Sequence, residues 1–262
     1  MKFLKRQALE TKTKAEIEKM REAGRLVRQV LDRCQAFIRP GVTTRMIDEM
    51  ADLVIRENGG EGLFKNYPGP TPFPSHLCIS VNEVVVHGIA GDYVIKEGDI
   101  VGVDCGVRLN GWCGDAATTI LVGNVAPETR RLCEETQKVL ALAVENIRPG
   151  RKWSEVARVM QQHAEGCGYG VVRNFIGHGI GKKLHMDPQV PNFVSRDLLK
   201  NDWVLQEGMT IAVEPMVNMG TPDVEVLADG WTVVTKDRKP SAHYEHTVAV
   251  TKTGADLLTD GR

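Results

Sequence analysis

The chain has 262 residues, 42% hydrophobic and 26% charged, and its 33 Lys+Arg against 34 Asp+Glu leave a formal net charge of -1. This composition excludes disordered and collagen-like classes, and the length allows one large core or two fused halves. Near-neutral charge gives no global attraction to nucleic acid or to an anionic membrane, so neither DNA nor a membrane is an expected partner. No apolar run reaches the roughly 18 to 20 residues of a membrane span, and Met1-Lys2-Phe3-Leu4-Lys5-Arg6 lacks the apolar region of a signal peptide. The cytoplasm is the expected compartment.

Residues 1–12 read as a basic, solvated tail, with Lys2, Lys5, Arg6 and Lys12 against the single acid Glu10. Contact with a phosphate-rich partner is the alternative. Thr13-Lys14-Ala15-Glu16 is a capping box; Ile17, Met20, Leu26, Val27, Val30, Leu31, Cys34, Phe37 and Ile38 then keep the spacing of one buried helix face, up to the stop Ile38-Arg39-Pro40-Gly41. Thr43 or Thr44 caps a second helix that ends at Asn58-Gly59-Gly60. Strands are predicted over 77–86, 100–109 and 112–122.

The same order then returns. Pro127 stands near a helix start, Ile147-Arg148-Pro149-Gly150 repeats the earlier stop residue for residue, and Ser154 caps a further helix ending in Gly166-Cys167-Gly168. More strands are predicted over 171–175, 209–217, 231–235 and 243–250. Two helices, an identical stop and a glycine-rich exit in register predict an internal duplication, with repeats of about 13–125 and 126–258 inside one domain, 13–262. The expected class is α/β in the α+β sense, with antiparallel or mixed sheets and a ligand pocket at the junction of two similar halves.

The six cysteines show no C-x-x-C and no zinc-finger spacing, so they read as free thiols and any metal is expected on other ligands. Those ligands are signalled by misplaced acids. Asn110-Gly111 is a two-residue hairpin turn, which sets Leu109 opposite Trp112, Gly106 opposite Asp115 and Asp104 opposite Ala117. Asp104 and Asp115 become diagonal neighbours on one face, roughly 7 to 8 Å apart at the backbone. Two acids on an apolar hairpin repel, which a cation would relieve; a solvated face or an arginine partner would relieve it too. Glu214 in Thr210-Ile211-Ala212-Val213-Glu214-Pro215-Met216 and Glu245 in Glu245-His246-Thr247-Val248-Ala249-Val250 are further carboxylates in core-like strands. In Gly177-His178-Gly179-Ile180-Gly181, glycines flank a histidine and let the backbone approach something bulky. Together these residues offer four negative charges and one imidazole, which two divalent cations would balance; oxygen-rich ligation suits Mn, Fe(II), Co or Zn. Paired metals activate water and polarise carbonyls, which is hydrolase chemistry.

These residues resemble the type I methionine aminopeptidases, of the pita-bread fold shared with prolidase, aminopeptidase P and creatinase. The resemblance runs from about Ile17 to Leu258. It is carried by Cys78-Ile79-Ser80-Val81-Asn82-Glu83-Val84-Val85-Val86-His87-Gly88, the two-aspartate hairpin, Gly177-His178-Gly179-Ile180-Gly181, Ile211-Ala212-Val213-Glu214-Pro215, Asp229-Gly230-Trp231-Thr232 and residues 241–247. It implies two pseudo-symmetric halves whose central curved sheet is covered by helices. It also implies Asp104, Asp115, His178, Glu214 and Glu245 as ligands of two divalent ions (Co, Mn, Fe(II) or Zn), and attack of a metal-bound hydroxide on the scissile carbonyl. Glu214 would be the proton shuttle, His87 a donor near the scissile amide and His185 a stabiliser of the oxyanion. Cys78, Phe73, Trp231 and Tyr67 would line a methionine pocket, while Asn82, Val84 and Ser241 match positions that hold a monovalent cation, Na or K, in some relatives.

The implied substrates are nascent polypeptides whose initiator methionine precedes a small residue, met by a monomer in transient proximity to the ribosome. Local departures are the long proline-rich segment Tyr67-Pro68-Gly69-Pro70-Thr71-Pro72-Phe73-Pro74 and Leu184 in place of an aromatic. Two rival readings stand beside this one. An X-Pro peptidase or prolidase is disfavoured because those relatives usually carry a large N-terminal domain, and a non-catalytic binding protein is disfavoured because no ligand position is lost.

Overall fold

The Thr13 capping box forms: its Oγ1 accepts the Glu16 N–H at 3.3 Å and Glu16 Oε2 accepts the Thr13 N–H at 2.9 Å. The computed structural model describes residues 9–262, so Lys2, Lys5 and Arg6 lie outside the described residues. Helix α1 (Lys14–Phe37) leads to α2 (Thr44–Glu57), which Thr43 caps, and then to β1 (Glu61–Gly62), β2 (Cys78–Val81), β3 (Val84–Val86), β4 (Ile100–Leu109) and β5 (Trp112–Leu121). Two helices recur next, α3 (Pro127–Asn146) and α4 (Trp153–Gly166). They precede β6 (Gly170–Val171), β7 (Gly177–Gly179), β8 (Met186–Val190), α5 (Arg196–Lys200), β9 (Thr210–Val213) and β10 (Met216–Asn218). The chain closes with β11 (Val224–Val226), β12 (Val233–Thr235), β13 (Ser241–His243), β14 (His246–Val250) and β15 (Ala255–Leu257). Among the described residues no helix is long and apolar enough to cross a membrane.

The β4–β5 hairpin has the register its turn demands: Leu109 faces Trp112, Gly106 faces Asp115 and Asp104 faces Ala117, with positive φ at Asn110 and Gly111. β1 and β2 share the other edge of β4, and β2 sets Cys78 opposite Asp104. The remaining strands pair antiparallel in the orders β15-β14-β9-β7-β8, β13-β10-β6 and β11-β12-β3. One apolar core gathers the inner faces of α1 and α2 on β2, β4 and β5; a second gathers α3 and α4 on β9, β10, β13 and β14.

Several predicted elements are corrected. Strand 77–86 breaks at Asn82, whose φ of 52 turns the chain, and strands 209–217 and 243–250 each break where the backbone leaves one sheet for another. Strand 171–175 ends at Val171, and 231–235 begins at Val233. Ser154 is not a cap. Lys152 occupies that position without a side-chain bond, and Asp202 supplies the acceptors instead, taking the Ser154 N–H at 3.2 Å and its hydroxyl at 2.6 Å. The solvated reading of the basic segment fails at Lys12. Its side chain is buried, its Nζ lies 3.6 Å from Glu10 Oε1, and its N–H donates to the Gly208 carbonyl at 2.7 Å.

Helix α1 lies directly on the hairpin. A Cβ at Gly114 would stand 2.8 Å from the Gly24 nitrogen, and one at Gly24 would fall on the Leu258 carbonyl. This contact seats the strand that carries Asp115. Gly114→Ala is therefore expected to overpack the helix–hairpin contact and lower stability by about 1–3 kcal/mol; an unchanged thermal midpoint would contradict this account of the contact.

Candidate metal centre

Five predicted ligands converge from separate elements. Asp104 sits in the middle of β4 and Asp115 in β5, and His178 is the central residue of β7. Glu214 and Glu245 do not lie inside strands. Glu214 occupies the break between β9 and β10, Glu245 the break between β13 and β14, and at both points the chain passes between the five-stranded sheet and the β13-β10-β6 sheet. The carboxylates thus stand at a seam. Glu245 is held there by its N–H to the Ala117 carbonyl (2.9 Å), and Glu214 by its own carbonyl, which accepts from Asn192 Nδ2 (3.0 Å).

Asp115, His178 and Glu245 each place a ligand atom within 4.8 Å of the others. His178 Nε2 is 3.7 Å from Asp115 Oδ2 and 3.6 Å from Glu214 Oε1. The tautomer follows from the other ring nitrogen: Nδ1 is 3.0 Å from the Gly179 carbonyl, which can only accept, so Nδ1 carries the proton and Nε2 presents its lone pair to the carboxylates. The flanking glycines serve a different purpose from the one expected. A Cβ at Gly177 would strike the Ala212 carbonyl and one at Gly179 the Asp187 carbonyl, so glycine here lets β9 and the β8 chain close on β7.

Burial pushes the carboxyls of Asp104, Glu214 and Glu245 well above their ordinary range and Asp115 to about 7, and mutual repulsion adds to the rise in the first three. No lysine or arginine of the described residues pairs with any of the four within 4.0 Å. The solvated-face and arginine alternatives therefore both fail. Asp104 Oδ1, Asp115 Oδ1 and Glu245 Oε1 are buried without a hydrogen-bond partner, and such orphaned acceptors are costly unless something cationic meets them. An oxygen-rich set with one correctly oriented imidazole fits divalent metal ions.

The set opens into a cleft of about 1020 Å³. His185 lies on its wall, its ring centroid 4.3 Å from that of His178 and its Nδ1 2.6 Å from the Tyr67 hydroxyl. His87, with φ of 58, sits edge-on to Phe175 at 5.3 Å and to Trp231 at 6.2 Å; burial lowers its pKa to about 4 and also lowers that of His185. Phe73 packs edge-on to Trp231 at 5.2 Å beside Cys78 and Leu184, so Leu184 takes an ordinary place in the apolar wall. The proline-rich loop folds back on itself, with the Phe73 N–H on the Tyr67 carbonyl (3.0 Å). It is also clasped to the indole: Trp231 Nε1 donates to the Thr71 carbonyl at 2.9 Å, and a Cβ at Gly69 would enter the Trp231 ring.

Asn82 and Ser241 are brought together, the Ser241 N–H donating to the Asn82 carbonyl at 2.9 Å, while Val84 begins the adjoining β3. Sequence reasoning missed His243. It is buried with Nε2 unpartnered and 4.0 Å from Glu214 Oε2, its backbone is anchored to Thr119 Oγ1, and burial lowers its pKa to about 3. Its signal was a polar residue in an apolar strand two positions before Glu245. Thr247 was missed as well; its hydroxyl donates to the Asp115 carbonyl (2.8 Å) and accepts the Asp115 N–H (3.0 Å), tying β14 to β5.

Asp104→Asn should raise the stability of the chelated, metal-free protein by about 1–3 kcal/mol, because it removes one buried charge from the repelling set. A raised folded-state pKa means that the parent's stability is lost as pH rises past the ordinary carboxylate range, so the gain must be larger at pH 8 than at pH 5. Thermal melts at the two pH values check both the sign and the trend.

Residues 18–252 match the model of the family described as Metallopeptidase family M24. The chain is 44% identical over 248 residues to the methionine aminopeptidase of Clostridium perfringens, covering 95% of this chain and 97% of that one. The solved methionine aminopeptidase of Thermotoga maritima superposes with a TM-score of 0.91 at 40% identity, over 96% and 99% of the two chains. Prolidase from Pyrococcus furiosus shares the fold at a TM-score of 0.75 and 24% identity, and the match spans 66% of its length. With that fold, the pita-bread arrangement, and with these relatives, the chain belongs to metallopeptidase family M24, among its methionine aminopeptidases.

Proposed function

We propose that the chain removes N-terminal methionine from peptides and nascent proteins, preferring a small second residue, as a metal-dependent hydrolase working in the cytoplasm. The observation that carries this is the group of three orphaned, buried carboxylate oxygens of Asp104, Asp115 and Glu245 beneath an apolar wall of Phe73, Cys78 and Trp231. Its relatives' identity supplies the substrate class.

Asp104, Asp115 and Glu245 would hold two divalent ions (Co, Mn, Fe(II) or Zn), with His178 and Glu214 completing the set. When bound, such a pair supplies Lewis-acid polarisation of a carbonyl and activation of water. Glu214 lies beside His178 Nε2 and His243 Nε2 at the cleft floor, where a carboxyl can take a proton from attacking water and return it to the leaving amine. His87 and His185 are neutral near pH 7 because of burial, so each offers an N–H without bringing charge into the cleft. The Tyr67 hydroxyl lies 2.6 Å from His185 Nδ1, and the tautomer in which the hydroxyl donates leaves the ring proton on Nε2, available to an oxyanion. Tyr67, Phe73, Cys78 and Trp231 form the side-chain subsite, whose apolar and sulfur-bearing walls suit a thioether.

A monovalent cation, Na or K, is proposed where Asn82, Val84 and Ser241 adjoin. Transient ribosome proximity belongs to the same reading through its substrate, and a monomeric state is proposed beside it.

Metal-stripped protein reloaded with Mn, Fe(II), Co or Zn should release methionine from Met-Ala-Ser and leave Ala-Pro intact. Cleavage confined to X-Pro substrates would move the protein to the prolidase side, and silence with every metal would favour a binding role. Glu214→Gln should retain most metal while turnover falls by roughly 10²–10⁴-fold; unchanged turnover would remove Glu214 as the proton carrier.

A further inference from the structure

A second cluster with metal-ligating chemistry lies on the helices of the second half. Glu135 on α3, His163 in the last turn of α4 and Cys167 at its C-cap each place one ligand atom within 4.8 Å of the others. His163 Nε2 is 2.8 Å from Glu135 Oε2, and both side chains are part-buried, with 27% of each exposed. Cys167 stands apart from the other five cysteines, all of them buried. The three residues belong to none of the elements that carry Asp104, Asp115, His178, Glu214 or Glu245.

We propose that Glu135, His163 and Cys167 form a separate zinc site, in which thiolate, imidazole and carboxylate take three corners of a tetrahedron and water takes the fourth. Zinc bonds of about 2.0 to 2.3 Å put tetrahedral ligand atoms roughly 3.3 to 3.8 Å apart. The His163–Glu135 pair, 2.8 Å apart, must open by under ~1 Å, and Cys167, within 4.8 Å of both, must settle into the same range, movements that side-chain rotation supplies at a part-buried position. His163 and Cys167 are four residues apart, so they lie on one helix face. They also stand where the α4 carbonyls leave their negative dipole end, which favours a cation. A thiolate with an imidazole selects zinc over manganese or magnesium, which prefer oxygen. The buried carboxylate centre lacks that discrimination.

One local charge opposes the site. Arg131 Nε is 3.9 Å from Glu135 Oε1, but the Arg131 side chain is 64% exposed and can swing into solvent. Bound zinc would fasten the end of α4 to α3, just ahead of β6 and of the segment running to His178. Zinc on Cys167 would depart from the expectation that any metal uses other ligands; its partners come from two helices and leave no local spacing motif.

The test uses the full chain, stripped with chelator and dialysed against zinc or cobalt. The parent should bind one more equivalent of zinc than Cys167→Ser, show a near-ultraviolet sulfur-to-cobalt charge-transfer band that Cys167→Ser lacks, and keep Cys167 from Ellman's reagent only when zinc is present. Methionine release should be the same in both proteins. Glu135→Gln and His163→Gln, which keep the thiol, should each weaken the extra uptake ~10-fold or more. Equal zinc stoichiometry in parent and Cys167→Ser would overturn the proposal, as would a charge-transfer band that survives in Cys167→Ser. These readouts do not depend on the peptidase reading, so failure of one leaves the other standing.

Discussion

Repulsion among four buried or part-buried carboxylates is the constraint on which the rest of this structure depends. Burial raises the pKa values of Asp104, Asp115, Glu214 and Glu245, mutual repulsion adds to the rise in all but Asp115, and no lysine or arginine of the described residues lies within 4.0 Å to neutralise them. Left alone they would drive the hairpin and the seam apart. The fold resists through backbone bonds that do not involve the charges: Thr247 on both backbone groups of Asp115, the Ala117 carbonyl on Glu245, and Asn192 on the Glu214 carbonyl. These restraints hold the acids in place for a cation, so binding does not have to assemble them.

The placement of this set explains why the molecule needs both of its cores. The aspartates rest on the sheet that α1 and α2 cover, while His178 comes from β7, paired to β9, and Glu214 and Glu245 from the breaks between strands of the second core. Close backbone contacts transmit that support. Gly24 and Gly114 bring α1 against the strand of Asp115, and Gly177 and Gly179 bring neighbouring strands against that of His178. Side chains at those points would move the ligands away from one another.

What could be read without coordinates follows from the range of the interactions involved. The Asn110-Gly111 turn specifies its own register, so Asp104 and Asp115 were placed correctly from local chemistry alone, as was the capping box at Thr13. Acids in apolar strands were legible as anomalies. The breaks at Glu214 and Glu245 were not, because switching sheets depends on partners such as Ala117 that are distant in the chain. Ser154 looked like a cap because Asp202, 48 residues away, supplies the acceptors. Lys12 looked solvated because a tail's burial depends on what it meets, here Gly208 and Glu10. His243 and Cys167 carried no spacing motif, and only the packing of strands and helices gives them neighbours.

The clasp between the proline-rich loop and Trp231 ties selectivity to architecture. One indole closes the apolar subsite against Phe73, holds the Thr71 carbonyl and fills the space left by Gly69. A smaller residue at 231 would do more than enlarge the cleft for a bulkier side chain, since it would also release the loop that forms the opposite wall. Evolution toward a broader substrate range at this wall must therefore change two segments 160 residues apart together. The apolar wall of the cleft is guarded by that linkage as much as by its shape.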